Sequence, residues 1–469
     1  MGIYQGPGMS CAECLSSRTS GAEIANSILI RNFSRAEMGP PKVTKIAVQN
    51  LQFGMYVYQL DRPWLETPFV FQGFEISTQE QIQELERYCK EVYIRVDVSD
   101  LAGHDSPVPA NARRREVSFF TDPQKKLEFE LLKKANAPNR TTAKPCYRDQ
   151  TTLEEEIATI TETYEQGTRI IKTLMEDARF GRSLDIPGTK KAVGQMAESV
   201  IRNPDALMCF AQLKKKDEYT ALHSLRVCIL ALAFGRHLGF DLEQLHVLGL
   251  GALLQDVGKM RIPDEILKKP EPLTEQEFTL MKSHVPRGVT ILASTKSIPQ
   301  GAIAIVERHH ERCDGSGYMN GLRGDEIGMF GTIGGLVDRY DALTSDRPHQ
   351  AAALAHITLR KLYEWRDKAF DKELVQQFIR CMGIYPIGSV VKLDTGEVGV
   401  VITTNRVRRL RPKVTLVLKP DHTPYAIPKT IDLMHQKSSG SHLAEIDQAL
   451  EPYAYGIDPV TYLPLAIGL

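Results

Sequence analysis

The residues in this chain that could carry out chemistry are histidines and aspartates in the middle of the sequence. Only 12 histidines occur in 469 residues, and several lie near acidic residues at the ends of successive predicted helices. The members of this set are His223, Asp256, His284, His309, His310 and Asp338. Imidazole nitrogens and carboxylate oxygens together suit first-row divalent metals such as iron, manganese, zinc or nickel, and one Asp can bridge two ions. The set therefore predicts a two-metal site.

A structural role is the alternative for each histidine taken alone, because a buried polar group is usually satisfied by an ordinary hydrogen bond. We assign to this structural class His237, His246, His349, His356 and His422. The metal set differs because its segments are dense in glycine, which lets the helices of a bundle converge. The spacing by itself leaves both interpretations open.

Helices must position the predicted ligands. The sequence pattern predicts one long helix from Thr152 to about Glu176, and helical periodicity dominates as far as about Arg380. Gly239 ends one helix and Asp241, with Gln244 three residues later, begins the next, while Thr274 and Glu277 have the form of a capping box. We therefore predict a mainly α protein whose central helical domain spans residues 151–382.

Smaller segments flank the helical domain. Residues 1–42 are predicted as a disordered leader, 43–98 as a small α+β amino-terminal domain and 99–150 as a linker rich in proline and arginine. Past Gly383 the period changes to two, which predicts a small β subdomain over 383–436 and a tail over 437–469. Its predicted strands are Val390–Leu393, Gly396–Ile402 and Val414–Leu418.

Composition limits the class of protein. Hydrophobic residues make up 42% and charged residues 25%, as in soluble globular proteins. The formal net charge of +0 gives no broad field for a polymeric nucleic acid. The longest apolar runs, such as Val227–Phe234, are too short to span a membrane. The eight cysteines, six of them widely dispersed, form no disulfide scaffold. We expect a cytoplasmic protein and assign the isolated Cys11-x-x-Cys14 pair to the leader.

Several ordered motifs occur between about residues 200 and 380. They are Gln255-Asp256-Val257-Gly258-Lys259, Ile262-Pro263-Asp264, Met281-x-x-His284, His309-His310-Glu311-Arg312-x-Asp314-Gly315-Ser316-Gly317-Tyr318, and Asp338-x-Tyr340-Asp341-Ala342-Leu343-Thr344-Ser345-Asp346-Arg347-Pro348. Together they closely resemble the HD-GYP domain, which implies a helical bundle of the HD superfamily. The amino-terminal segment, through Leu51-x-x-Gly54-Met55-Tyr56-Val57 and Leu60-Asp61-x-Pro63-Trp64, resembles a domain of unknown role that often precedes HD-GYP domains.

The resemblance implies a metal-dependent phosphodiesterase that hydrolyses cyclic di-GMP to pGpG and/or GMP through a metal-bridged hydroxide. It implies two divalent transition metal ions, iron, manganese or similar. One would be held by His223, Asp256 and Asp338, and the other by Asp256, His284, His309 and His310.

Substrate contacts follow from the same resemblance. Lys259, catalytic together with Asp256, would meet the scissile phosphate as a point charge. Arg347 would hold a phosphate oxygen in bidentate fashion, and Tyr318 would meet the guanine or ribose region.

The chain departs from the family pattern at several positions. Gln255 replaces the first histidine of the HD pair, so a neutral amide replaces a stronger metal ligand. Tyr219 stands where members with a third metal carry Glu, which predicts two ions at most. Met319 replaces the proline of Gly-Tyr-Pro. His349 and Gln350 replace a Tyr and a basic residue, which removes one phosphate contact.

Three hypotheses remain at this stage. The first is an active phosphodiesterase that tolerates Gln255. The second is a catalytically impaired cyclic di-GMP sensor, favoured by Gln255, His349 and Gln350, which passes its signal to a protein partner such as a diguanylate cyclase. The third is a generic HD-superfamily nucleotide hydrolase, which leaves the Gly-Tyr and Asp-Arg-Pro segments unexplained. A homodimer is left open under each of them.

Overall fold

A computed structural model describes most of the chain from residue 42 onward. The described residues are 42–62, 67, 69, 74–76, 78–96, 147–212, 219–293, 295, 297–346, 352–405, 408–434, 444–451 and 453–463. The chain divides into two compact units, Met1–Pro63 with Gly73–Val108 and Trp64–Gln72 with Pro109–Leu469. The predicted leader up to residue 41, the cysteine pair within it, and residues 99–146 of the predicted linker lie outside the described residues.

The first unit is a small α+β domain, as predicted. Its elements are β1 (Lys42–Ala47), β2 (Tyr56–Leu60), β3 (Phe74–Glu75), α1 (Gln79–Tyr88) and β4 (Glu91–Val96). The strands form an antiparallel sheet in the order β1-β4-β2-β3. Helix α1 begins at a capping box made by Thr78 and Gln81.

The second unit is mainly helical, which confirms the predicted fold class. Its helices are α2 (Leu153–Phe180), α3 (Ile186–Arg202), α4 (Pro204–Phe210), α5 (Tyr219–His237), α6 (Leu242–Leu254), α7 (Asp264–Leu267), α8 (Glu275–Lys282), α9 (His284–Ala293), α10 (Gln300–Arg308), α11 (Gly328–Thr344), α12 (Ala355–Glu364) and α13 (Lys372–Met382). A 3-10 helix, Val257–Arg261, follows α6. None of the helices in the described ranges is both long and apolar enough to cross a bilayer.

Local signals set the helix ends. The capping boxes of Asp241 with Gln244 and of Thr274 with Glu277 are confirmed at α6 and α8. Helix α2 extends past its predicted end near Glu176. It ends before Gly181, because the φ of 72° at Gly181 lies in the left-handed region that glycine adopts at low cost.

Helices α5 and α6 form the centre of the second unit. Both are apolar around most of their circumference, which is typical of helices surrounded by other helices. Helix α6 packs against α3, α5 and α10. At Gly251 a Cβ atom would lie 2.9 Å from the Ala302 carbonyl oxygen, so glycine allows α6 and α10 to approach closely. The ends of the central helices, where the predicted ligands lie, are thereby brought together.

A five-stranded antiparallel sheet follows the helices. It contains β5 (Val390–Leu393), β6 (Val398–Thr403), β7 (Lys413–Leu418), β8 (Pro424–Asp432) and β9 (Ile446–Ala449), in the order β8-β7-β6-β5-β9. Val398, Val400 and Ile402 join the helical core, whereas Val401 packs into a separate small cluster on the other face. The sheet therefore belongs to the same unit as the bundle.

The two outer strands of this sheet differ from the sequence interpretation. Strand β8 was not predicted, because most of its residues are exposed and it lacks an apolar alternation. Strand β9 lies in the segment predicted as a tail, yet it pairs with β5. Edge strands are stabilised by hydrogen bonds to a neighbour, which a sequence pattern does not display. The sheet thus extends beyond residue 436.

Replacing Phe378 by Ala tests the packing of the helical core. The Phe378 ring lies 5.2 Å from the rings of both Phe234 and Tyr340 and is fully buried. The free energy of unfolding should fall by about 3–5 kcal/mol, the usual cost of truncating a buried Phe. Urea denaturation followed by circular dichroism measures it. Phe180→Ala is the control, because Phe180 is 65% exposed; equal losses in the two variants would contradict this packing.

Candidate metal centre

The predicted ligands lie on five different segments of the helical unit. His223 is on α5, Asp256 follows the end of α6, and His284 is the first residue of α9. His309 and His310 follow the end of α10, and Asp338 is on α11. All are buried except His310, which is half-buried.

Asp256 lies at the centre of these side chains. Its Oδ1 is 3.5 Å from His284 Nε2 and 3.8 Å from His309 Nε2, and its Oδ2 is 3.4 Å from His223 Nε2. The ligand atoms form two groups, within each of which all atoms lie within 4.8 Å of one another: Asp256, His284, His309 and His310, and His223, Asp256 and Asp338. All six histidines and aspartates of the predicted set are therefore brought together, with Asp256 common to both groups.

The hydrogen bonds of two histidines determine where their protons lie. His284 Nδ1 is 2.7 Å from the Met281 carbonyl oxygen, and His309 Nδ1 is 3.1 Å from the Ile305 carbonyl oxygen. Because a carbonyl only accepts, Nδ1 carries the proton in both rings. Burial lowers the pKa of His284 to about 4 and also lowers the pKa of His309. Both rings are thus neutral near pH 7, and each Nε2 is a bare lone pair.

These lone pairs face a carboxylate. His284 Nε2, His309 Nε2 and Asp256 Oδ1 are buried, and none of the three atoms has a hydrogen-bond partner among the described residues. Acceptors that face one another without a donor or cation are costly inside a protein. A divalent cation between them removes this cost, and imidazole with carboxylate is a suitable ligand set. The residues present therefore fit a metal ion.

The second group of ligand atoms includes a contact made by Gln255. His223 Nε2 lies 3.0 Å from Asp338 Oδ1, and Gln255 Nε2 donates to the same oxygen at 3.0 Å. Gln255 is fully buried, and its Oε1 has no hydrogen-bond partner within the described part of the chain. Gln255 thus contacts the cluster through its amide nitrogen, while its role as a ligand stays a prediction.

Two residues that the sequence analysis did not select position the His223 ring through its Nδ1 atom. Asp341 contacts this atom directly, and Arg226 acts through Asp341. His223 Nδ1 is 2.7 Å from Asp341 Oδ2, and Arg226 donates to both oxygens of Asp341 at 2.8 and 3.0 Å. Burial alone would raise the pKa of Asp341, but Arg226 and His223 hold this pKa well below its usual value. Asp341 is three residues after Asp338, and Arg226 is three after His223. Residues three apart on a helix are neighbours, so this spacing from a predicted ligand was the sequence signal that could have identified both residues.

A close contact between backbones brings Asp256 to His284. A Cβ atom at Gly258 would lie 1.9 Å from the His284 carbonyl oxygen and 2.5 Å from Gly288 N. The 3-10 helix after α6 therefore rests directly on α9, and only glycine fits at that point. The Gly258 of the Asp256-Val257-Gly258-Lys259 motif thus has a packing role in the site.

The predicted substrate contacts are placed as follows. Lys259 Nζ donates to Asp256 Oδ2 at 2.6 Å, and its side chain is 20% exposed. The Tyr318 ring stacks on His310 with centroids 4.6 Å apart. The loop that carries Tyr318 is held by Glu311, whose carboxylate accepts from two backbone amides, Asn320 N and Leu322 N. Arg347, with His349 and Gln350, lies outside the described residues.

Family models match three parts of the chain. A domain of unknown function (DUF3391) matches residues 43–188, an HD domain matches residues 208–374, and a KOW domain associated with HD domain matches residues 390–440. The ligand cluster described above lies entirely within the part that the HD domain matches.

Several proteins named as phosphodiesterases are similar to this chain. It is 34% identical over 372 residues to the cyclic di-GMP phosphodiesterase PA4108 of Pseudomonas aeruginosa, a match covering 79% of this chain and 84% of that protein. It is 34% identical to the cyclic di-GMP phosphodiesterase response regulator RpfG of Xanthomonas campestris pv. campestris, over 41% of this chain and 51% of that protein. It is 33% identical to the 3'3'-cGAMP-specific phosphodiesterase 2 of Vibrio cholerae, over 35% of this chain and 32% of that protein.

The match to the Pseudomonas aeruginosa protein extends over most of both chains, and the motifs that resemble the HD-GYP domain lie in the HD-domain region. The chain belongs to the HD-GYP family of HD-domain proteins.

Proposed function

We propose that this protein is a metal-dependent phosphodiesterase that hydrolyses cyclic di-GMP. The observation that carries the proposal is the buried set of bare acceptors around Asp256, which lack partners among the described residues and match the ligands of a divalent cation. The relatives named as cyclic di-GMP phosphodiesterases support the choice of substrate. The alternative hypothesis of a generic nucleotide hydrolase gives no role to Tyr318, whose ring stacks on His310.

We assign one cation to His223, Asp256 and Asp338, and a second to Asp256, His284, His309 and His310, with iron or manganese as the metal. When bound, such cations lower the pKa of water toward neutrality and offset the charge of a phosphodiester. The neutral rings of His284 and His309 suit this role, because each presents a lone pair at Nε2 and anchors its Nδ1 proton on a backbone carbonyl.

Other side chains of this protein act on the substrate. Lys259 Nζ, beside Asp256 and partly exposed, donates to a non-bridging oxygen of the scissile phosphate as a point charge. Tyr318 borders the space where a base or ribose would lie, and Arg347 is assigned the bidentate phosphate contact. Hydrolysis joins the oxygen of water to phosphorus and breaks the bond to the ribose 3′ oxygen, which takes up a proton. Linear pGpG results, and a second hydrolysis gives GMP.

A second candidate function is a sensor that binds cyclic di-GMP without effective turnover. Gln255 favours it, because its amide nitrogen donates to the assigned ligand Asp338 and occupies one lone pair of the carboxylate. An amide oxygen also binds transition metals less well than an imidazole nitrogen. The turnover assay below separates the two functions.

Purified protein loaded with iron or manganese should convert cyclic di-GMP to pGpG or GMP, and chelation of the metal should abolish turnover. Asp256→Asn should lower both bound metal and turnover more than about 100-fold, because it removes the residue common to both groups of ligands. Product chromatography and elemental analysis measure the two effects. Asp264→Asn is the control, since Asp264 forms surface ion pairs. Tight binding without product would support the sensor instead.

Gln255→His should raise both the metal content and the rate. The substitution places an imidazole where the amide now contacts Asp338, and so adds a stronger ligand to the first group. Metal titration and initial rates measure the change. Gln300→His provides a matched control at an exposed position at the start of α10. An unchanged metal affinity in Gln255→His would mean that position 255 is not a ligand position.

Asp341→Asn should weaken metal binding by about 10–100-fold, because Asp341 orients His223 and increases its basicity. It also leaves the buried Arg226 with a weaker partner, so the free energy of unfolding should fall by up to about 3–5 kcal/mol. Metal titration and urea denaturation measure these effects separately. Asp325→Asn, at an exposed position, is the control. Unaltered metal affinity in a folded Asp341→Asn protein would exclude the positioning role.

A further inference from the structure

A cluster of two aromatic rings and one cation lies beside the metal centre, on α8 and the loop after α10. The Phe278 ring lies 6.3 Å from the Tyr318 ring in an edge-to-face arrangement. Lys282 Nζ lies 5.1 Å from the Phe278 ring centroid and 6.0 Å from the Tyr318 ring centroid. Phe278 and Lys282 are four residues apart on α8 and therefore share one face of that helix.

The cluster is continuous with the metal site. Tyr318 stacks on the assigned ligand His310 with an interplanar angle of 26°, and the His310 ring lies 5.0 Å from the His284 ring. His284 itself is only two residues after Lys282 in the chain. A row of rings therefore runs from Phe278 through Tyr318 to His310, ending at the site of the proposed chemistry.

Core packing does not account for this cluster. Phe278 is 46% exposed, so much of its ring remains in contact with water. Among the described residues no carboxylate pairs with Lys282, whose contacts are with the faces of the two rings. An exposed aromatic face with a lysine beside it is suited to a ligand that is flat, aromatic and rich in acceptors.

We infer that Phe278 and Lys282 form a subsite for one guanine base of the cyclic dinucleotide, an assignment that rests on the proposed function. The base stacks on Phe278, as bases do on aromatic side chains in single-strand recognition. Lys282 donates to guanine O6, one of the two acceptors through which lysine recognises guanine elsewhere. Adenine carries an amino group in place of O6, so the same lysine disfavours adenine.

The stacking contact is tested by substituting Phe278. Phe278→Leu should weaken binding of a phosphorothioate analogue of cyclic di-GMP to the metal-loaded protein by about tenfold, within the range measured for loss of base stacking. Phe278→Tyr keeps an aromatic face and should retain binding. Calorimetry measures affinity, and elemental analysis checks that the metal content equals that of the wild type. Phe180→Leu is the matched control at an exposed ring. Wild-type affinity in Phe278→Leu would overturn the stacking assignment.

The polar contact is tested by base preference. Lys282→Met should reduce the preference for cyclic di-GMP over cyclic di-AMP by about fivefold or more, the lower end of the range for a specific base contact. Lys268→Met is the control, since the Lys268 side chain is 75% exposed. An equal loss of affinity for the guanine and adenine dinucleotides would show a charge effect and would overturn the guanine contact.

The outcomes separate this inference from the proposed function. The subsite would be rejected and the phosphodiesterase function kept if the wild type turns over cyclic di-GMP while Phe278→Leu binds normally and Lys282→Met keeps its base preference. The subsite would be kept and the phosphodiesterase function rejected if binding depends on Phe278 and Lys282 but the wild type shows no turnover.

Discussion

The structure depends on the burial of Asp256 among imidazole nitrogens that carry no protons. Asp256 is fully buried, and the bare Nε2 atoms of His284 and His309 point at one of its oxygens. Lone pairs gathered in this way oppose folding unless a positive charge lies among them. Lys259 supplies one such charge at the other oxygen, and together with His223 it holds the pKa of Asp256 well below its usual value even though burial acts in the opposite direction. A cation bound among these atoms would therefore also stabilise the folded helical unit.

Much of the surrounding structure keeps these atoms in place. Gly251 allows α10 to approach α6, and Gly258 allows the 3-10 helix to rest on α9. Arg226 and Asp341 form a buried ion pair that fixes the ring of His223. A buried ion pair of this kind contributes little net stability, but it orients the groups it contacts. The bundle therefore brings the ligand atoms of each group, which come from distant segments, to within 4.8 Å of one another.

The residues that we propose for substrate recognition lie in less buried parts of the protein. Tyr318 lies on a loop held by the buried carboxylate of Glu311, and Phe278 lies on α8, whose start is fixed by the capping box at Thr274. A loop held on a rigid scaffold can vary in sequence without disturbing the ligands. With Met319 in this loop where the family has proline, Tyr318 stacks on His310. Gln255 differs from Met319, because its buried amide donates a hydrogen bond directly to the assigned ligand Asp338.

The sequence by itself determined the mainly helical class, the capping boxes at Asp241 and Thr274, the family, and the set of histidines and aspartates that come together. These features depend on local periodicity, on short-range hydrogen bonds and on ordered motifs, all of which are written along the chain. The family motifs already implied that Asp256 is common to both groups of ligands, and the structure brings both groups together around it. Only the tertiary structure decided that Arg226 and Asp341 position His223, and that Gln255 contacts Asp338 through its nitrogen. Strand β9 and the proximity of Phe278 to Tyr318 were decided in the same way. Each of these depends on a distance between residues that are far apart in the chain, and packing alone sets such distances.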